Sequence, residues 1–188
     1  MLLAASIAAA APNMALGAAC LENSSPGRIC TANDFETVSE ELISGPSSCV
    51  DGEIIPGDLV MRIGLLGNRN STYDIGFFIG DADNSPINGE SCTFDSLDRI
   101  EPVDGIFNGL SGNGPYRNLE GNACGDANKS DRVIYKDITL SNVLCQDLNN
   151  DGTLDVAYAI TWKQNSSACD DASDPANFSL STSSKCID

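Results

Sequence analysis

Eight cysteines in a 188-residue chain without a single histidine constrain this protein more than any other feature. They are Cys20, Cys30, Cys49, Cys92, Cys124, Cys145, Cys169 and Cys186. None lies in a Cys-x-x-Cys pair, and the absence of histidine removes the usual partner in zinc clusters. An even set without metal spacing reads as a disulfide framework, which forms and persists in an oxidising compartment at or beyond the cell surface. Eight cysteines admit about a hundred pairings. Short separations close the smallest loops, so the expected bridges include Cys20–Cys30 and Cys169–Cys186. Buried free thiols are the alternative for some of them.

Charge narrows the functional classes. Against 27 acidic residues stand 10 basic ones, a net charge of -17. Such a field repels nucleic acid and anionic lipid and attracts cations. Without histidine there is no Ser-His-Asp triad and no histidine general base. Carboxylate pairs such as Asp170 and Asp171 resemble what a glycosidase needs, but an acidic chain makes such pairs by chance. The expectation is a protein that is not an enzyme.

Strands dominate the middle of the chain. Leu59, Met61, Ile63 and Leu65 alternate with Val60, Arg62 and Gly64. Tyr73, Ile75, Phe77 and Ile79 alternate next, and Val156, Tyr158, Ile160 and Trp162 alternate against Ala157, Ala159 and Thr161. In the stretch from 132 to 144, Val133 and Tyr135 share a face and the pattern resumes at Ile138 and Leu140. A period of two with branched and aromatic residues predicts half-buried strands. Residues 34–43, "DFETVSEELI", fit a helix capped by Asp34 or a strand of the same length. Gly-, Asn-, Ser- and Pro-rich stretches separate these runs. Many strands, long loops and no β-α-β rhythm predict an all-β antiparallel sandwich, immunoglobulin-like or jelly-roll-like, stapled by disulfides, over residues 20–188.

The sharpest chemical motif is "DLNNDGTLD". Asp147, Asn149 and Asp151 are spaced by two, Gly152 follows and Asp155 closes the run. Alternate oxygen side chains converge when a glycine turns the backbone sharply, and the Thr153 carbonyl adds a ligand, so the expected cofactor is a structural calcium ion. The twelfth position is Tyr158 and not a bidentate glutamate, so the loop is no EF-hand. It is similar to the shortened loops of dockerin and thrombospondin type 3 repeats. The competing reading is a solvated Asn-Asp-Gly turn. Asp126, Asn128 and Asp131, or Asp81 and Asp83, are weaker candidates of the same kind.

Several segments occur in a suggestive order: "CLENSS" and "CTANDFETV" at the start, "YDIGFFIGDADN" and "NGESC", then "CGD", "CQDLNNDGTLD", "TWKQNSSAC" and a closing "STSSKC". Together they resemble a group of secreted bacterial β-rich domains that share a CTAND start and an SKC end. The resemblance spans residues 20–188. It implies secretion, disulfides and a surface role, and no catalytic residue. It also implies a signal peptide before Cys20.

Residues 1–19 therefore carry the functional question. They are uncharged and rich in alanine, with Leu2, Leu3, Ile7, Met14 and Leu16 as the larger apolar side chains. As a signal peptide they offer an apolar stretch and small residues before Cys20, yet no basic residue precedes Arg28. A lipoprotein reading would acylate Cys20, but Gly17 stands where a leucine-like residue is wanted. Pro12 and Asn13 break the segment too early for a membrane span. If retained, it reaches roughly 60 Å when extended, enough to enter a neighbouring copy. Head-to-tail insertion of that kind builds filaments. Two functions follow: a homopolymeric extracellular filament subunit joined through residues 1–19, or a monomeric secreted calcium-binding adhesion or glycan-binding module with those residues removed. For glycans, Trp162, Tyr73 and Tyr116 are the candidate stacking residues, but Trp162 falls in register with Val156 and Ile160 and is expected in the core. Glycosylation sequons stand at Asn23, Asn70, Asn128, Asn165 and Asn177.

Overall fold

The computed structural model describes residues 20–21, 30, 32, 34–80, 92–97, 117–131, 133–178 and 184–187. Seven strands form two antiparallel sheets: β1 (Phe35–Ser44), β2 (Asp58–Gly67), β3 (Tyr73–Gly80), β4 (Cys92–Ser96), β5 (Ile134–Ser141), β6 (Tyr158–Lys163) and β7 (Ser184–Ile187). One sheet runs β1-β2-β5 and the other β4-β3-β6-β7. The expected all-β, two-sheet architecture is present.

The alternating residues explain the main core. Leu59, Ile63 and Leu65 of β2 meet Ile75, Phe77 and Ile79 of β3 and Ile160 and Trp162 of β6 between the sheets. Phe35 stands edge-on to the Trp162 ring, with centroids 5.1 Å apart. Trp162 is fully buried, in the core as its register with Val156 and Ile160 predicts. Burying these large side chains contributes about 1.5–3 kcal/mol each.

β3 and β6 are buried on both faces rather than half-buried as expected. A second apolar layer of Leu21, Phe78, Ala159 and Phe178, with Phe94 against it, covers the outer face of the four-stranded sheet. The Phe178 ring lies so close to Gly76 that a Cβ there would come within 2.8 Å of it.

Of the two readings of the 34–43 stretch the strand is the one that forms, and Asp34 accepts hydrogen bonds from Trp162 Nε1 (3.2 Å) and Gln164 Nε2 (2.7 Å). Two expectations are corrected. In β5 the inward face carries Ile134, Lys136, Ile138 and Leu140, not Val133 and Tyr135. A lysine at a core-facing position masked the alternation. Lys136 is buried there because its Nζ reaches Asp95 at 2.9 Å. The bridges are Cys20–Cys92, Cys30–Cys186, Cys49–Cys145 and Cys124–Cys169, so neither Cys20–Cys30 nor Cys169–Cys186 forms. Antiparallel pairing brings sequence-distant strand ends side by side, and the separations are 72, 156, 96 and 45 residues. Long closures constrain the unfolded chain most, by about 4–5 kcal/mol each in the chain-entropy model. No described cysteine is left free, and four bridges fit an oxidising environment.

Candidate functional site

The loop 147–155 hangs between β5 and β6, on the end of the molecule stapled by Cys49–Cys145. Its side chains fold inward onto the loop's own backbone. Asp147 accepts the N–H groups of Asp151 and Gly152, both at 2.9 Å, and Asp155 accepts that of Leu148 at 2.7 Å. Asn149 accepts from the Asp151 N–H at 3.0 Å. Asp151 in turn accepts from the Thr153 N–H at 2.8 Å and from its hydroxyl, and these bonds hold the Asp151 carboxyl below its ordinary pKa. Asn150 and Gly152 adopt the left-handed conformation that turns the chain, with φ of 57° and 83°. The five sequence-predicted ligands thus share one exposed turn. Their chemistry suits calcium, with acidic and carbonyl oxygens close in sequence. Among the described residues, however, Asp147, Asp151 and Asp155 are not one of the groups whose ligand atoms lie within 4.8 Å of one another.

Such a group occurs elsewhere: Asp74, Glu120 and Asp126. Asp74 and Asp126 are fully buried. Asp74 sits at the start of β3 with a left-handed φ of 49°. Its Oδ2 lies 2.9 Å from Lys163 Nζ and accepts the Ser167 hydroxyl at 2.6 Å. Lys163 Nζ also donates to the Asn177 carbonyl at 2.7 Å. The two oxygens of Asp126 accept the N–H groups of Asp74 (3.1 Å) and Leu119 (2.5 Å). Asn122 donates to both Glu120 (2.6 Å) and Asp74 (3.3 Å). Three carboxylates face one ammonium, so full ionisation leaves the cluster doubly negative in a poor dielectric. Burial, reinforced by the charges of Glu120 and Asp74, pushes the Asp126 carboxyl up to about 7, and burial likewise raises Glu120. A proton on Asp126 relieves the excess.

Asp126, Asn128 and Asp131 do not form the loop site weighed from the sequence. Asp126 belongs to the buried cluster, and Asp131 is buried against Arg117 Nε at 2.6 Å. No periodicity marked the Asp74 cluster, because its members come from a strand, a loop and a strand end. Its one sequence signal is Lys163, a charge directly after the buried Trp162.

A third feature lies between the sheets. A groove of about 380 Å³ opens beside the outer half of β1, floored by Leu59, Met61 and Leu140 and walled by Leu42, Leu154 and Val156. The Tyr158 hydroxyl donates to the Glu40 carboxylate across one end. Burial, with Glu40 adding to it, pushes Tyr158 up to about 12. Leu154 N–H donates to the Ser47 carbonyl at 3.3 Å across the same gap.

The assembly residues Leu2, Leu3, Ile7, Met14 and Leu16 lie outside the described residues, as do Asp81, Asp83, Tyr116 and Asn23. Tyr73 is half-buried. Asn70 and Asn165 are exposed, whereas Asn128 and Asn177 are half-buried and donate hydrogen bonds to backbone carbonyls. Among the described residues no helix is long and apolar enough to cross a membrane.

Fold and site together define a disulfide-stapled β-sandwich with an acidic surface and an open inter-sheet groove. No protein family model, curated protein or solved structure matches the chain.

Proposed function

We propose that this protein is a structural subunit of an extracellular filament, joined head-to-tail to copies of itself through residues 1–19. One observation carries this: β1 pairs only with β2 among the described strands, and this edge exposes Val38, Leu42 and Ile43. An exposed apolar edge recruits another strand unless something blocks it. The same chain contains an uncharged stretch from Met1 to Leu21, suited to pairing along such an edge. The charge of -17 keeps folded bodies apart, so contact falls to the neutral segment. The order of motifs from "CTAND" to "SKC" supports a secreted surface protein. Calcium at Asp147, Asn149, Asp151, Thr153 and Asp155 would stiffen the turn that supports Leu154 and Val156. Glycan stacking gains nothing from Trp162, which is inside the core.

Electron microscopy of the full chain at neutral pH with millimolar calcium tests the proposal. Unbranched fibres with a single subunit repeat are expected. Monodisperse single subunits at every concentration tried would overturn it and leave a solitary secreted module.

A further inference from the structure

Building on the proposed filament, we infer that the inter-sheet groove beside β1 is the seat for residues 1–19 of the neighbouring subunit. Its lining points there first. The groove is apolar below and acidic above: Leu59, Met61 and Leu140 form the floor, while Glu40, Glu41 and Asp155 stand on the rim. The rim repels another acidic body, and the apolar floor favours an apolar segment laid on it. Residues 1–21 are the longest uncharged run in the chain, longer than 105–116 or 175–184.

The groove also lies along the open edge of β1. β1 has β2 on one side only among the described strands. On the opposite wall residues 154–157 belong to no strand, and their backbone is engaged: Leu154 N–H donates to Ser47, Asp155 N–H donates to Gln146, and the Ala157 carbonyl accepts from Gly80. A strand laid along β1 pairs with that backbone on one side and keeps its other side open. In extended form Leu3, Ala5 and Ile7 fall on one face, two residues apart, and project towards the floor. Pro12 is tolerated on the outer side of an added edge strand.

The donor comes from another copy. Leu21 packs with Phe78 and Phe178 on the outer face of the four-stranded sheet, and Cys20 is bridged to Cys92 of β4. The groove opens on the inner side of that sheet. Cys20 and Leu21 therefore stand on the face turned away from the groove.

The test compares four full-length proteins by electron microscopy and sedimentation: the natural chain, Ile7→Asp, Leu42→Asp and Val50→Asp. Leu42 is on the groove wall; Val50 is 63% exposed and does not line the groove. The polymer fraction is expected to fall roughly tenfold or more in Ile7→Asp and in Leu42→Asp, since each puts an unpaired carboxylate into an apolar contact. Val50→Asp should polymerise like the natural chain. If Leu42→Asp polymerises normally while Ile7→Asp does not, the groove is the wrong seat and the filament stands. If the natural chain forms no fibres, the filament falls and the groove with it. Thermal melts establish that each variant folds. Photo-methionine in the natural chain supplies a measurement free of mutation, because the methionines are Met1, Met14 and Met61 and the last lines the groove floor. In mixed light- and heavy-nitrogen polymer, cross-links from Met14 to groove residues of the other isotope are expected. Cross-links confined to one isotope would overturn insertion into a neighbour.

Discussion

Replacing Asp126 by asparagine should flatten the dependence of stability on pH. Asp126 is fully buried, and its carboxyl is raised from 3.8 to about 7, first by burial and then by the charges of Glu120 and Asp74. The folded state therefore holds a proton between about pH 4 and 7 that the unfolded chain has released. Stability contributed by that proton is complete below the unfolded pKa and declines as pH rises towards the folded one. The rise from 3.8 to about 7 corresponds to about 4 kcal/mol over the whole window, of which about 2.7 kcal/mol falls between pH 5 and pH 8. After burial, the groups that set the Asp126 pKa are Glu120 and Asp74, whose charges raise it, and the N–H groups of Leu119 and Asp74, whose hydrogen bonds lower it; Lys163 lies beside Asp74, and the Arg117–Asp131 pair lies beyond. The substituted amide keeps the shape of the carboxyl but can accept only one of the two N–H bonds, from Asp74 or Leu119. The Asp126→Asn protein therefore begins about 1–3 kcal/mol less stable at pH 5. Urea unfolding with disulfides intact and chelator present, at pH 5 and pH 8, measures both proteins. The natural chain should lose about 2–3 kcal/mol more than Asp126→Asn between the two pH values. Equal slopes would refute the buried proton.

Three further outcomes follow from the packing and the loop. Gly76→Ala drives a methyl group into Phe178 and should cost about 1–3 kcal/mol in chemical denaturation. For the ion pair beneath the sheet the two partners should behave unequally. Lys136→Met should change stability by less than about 1 kcal/mol, while Asp95→Ala strands a buried ammonium and should cost about 3 kcal/mol. With calcium a hundredfold above its dissociation constant, occupancy of the 147–155 loop adds about 2.7 kcal/mol, so chelation should lower the melting temperature by about 5–10 °C. An unchanged melt would remove calcium from that loop.

β2, β3 and β6 were legible because their inward residues are apolar and regular, and the sandwich class followed from them. β5 was read out of phase at one end because Lys136 stands on the inward face, a choice made stable only by Asp95 from another sheet. β1 was ambiguous because its outer half buries little, and its pairing shifts register between Thr37 and Ser39 and between Leu42 and Ser44. Disulfide partners depend on strand order, which no local spacing encodes. The Asp147–Asp155 turn was legible as a motif because all its parts are consecutive. The Asp74–Glu120–Asp126 cluster was not, since tertiary packing alone joins its members. The groove was invisible for the same reason, although the segment assigned to fill it was the plainest feature of the chain.

Protease digestion of the assembled material followed by peptide mapping tests the joined-subunit account most directly. Peptides covering residues 1–19 should be recovered from fibres after limited treatment with a broad-specificity protease, sheltered by the next subunit. Fibres whose polypeptide begins at Cys20 would contradict it.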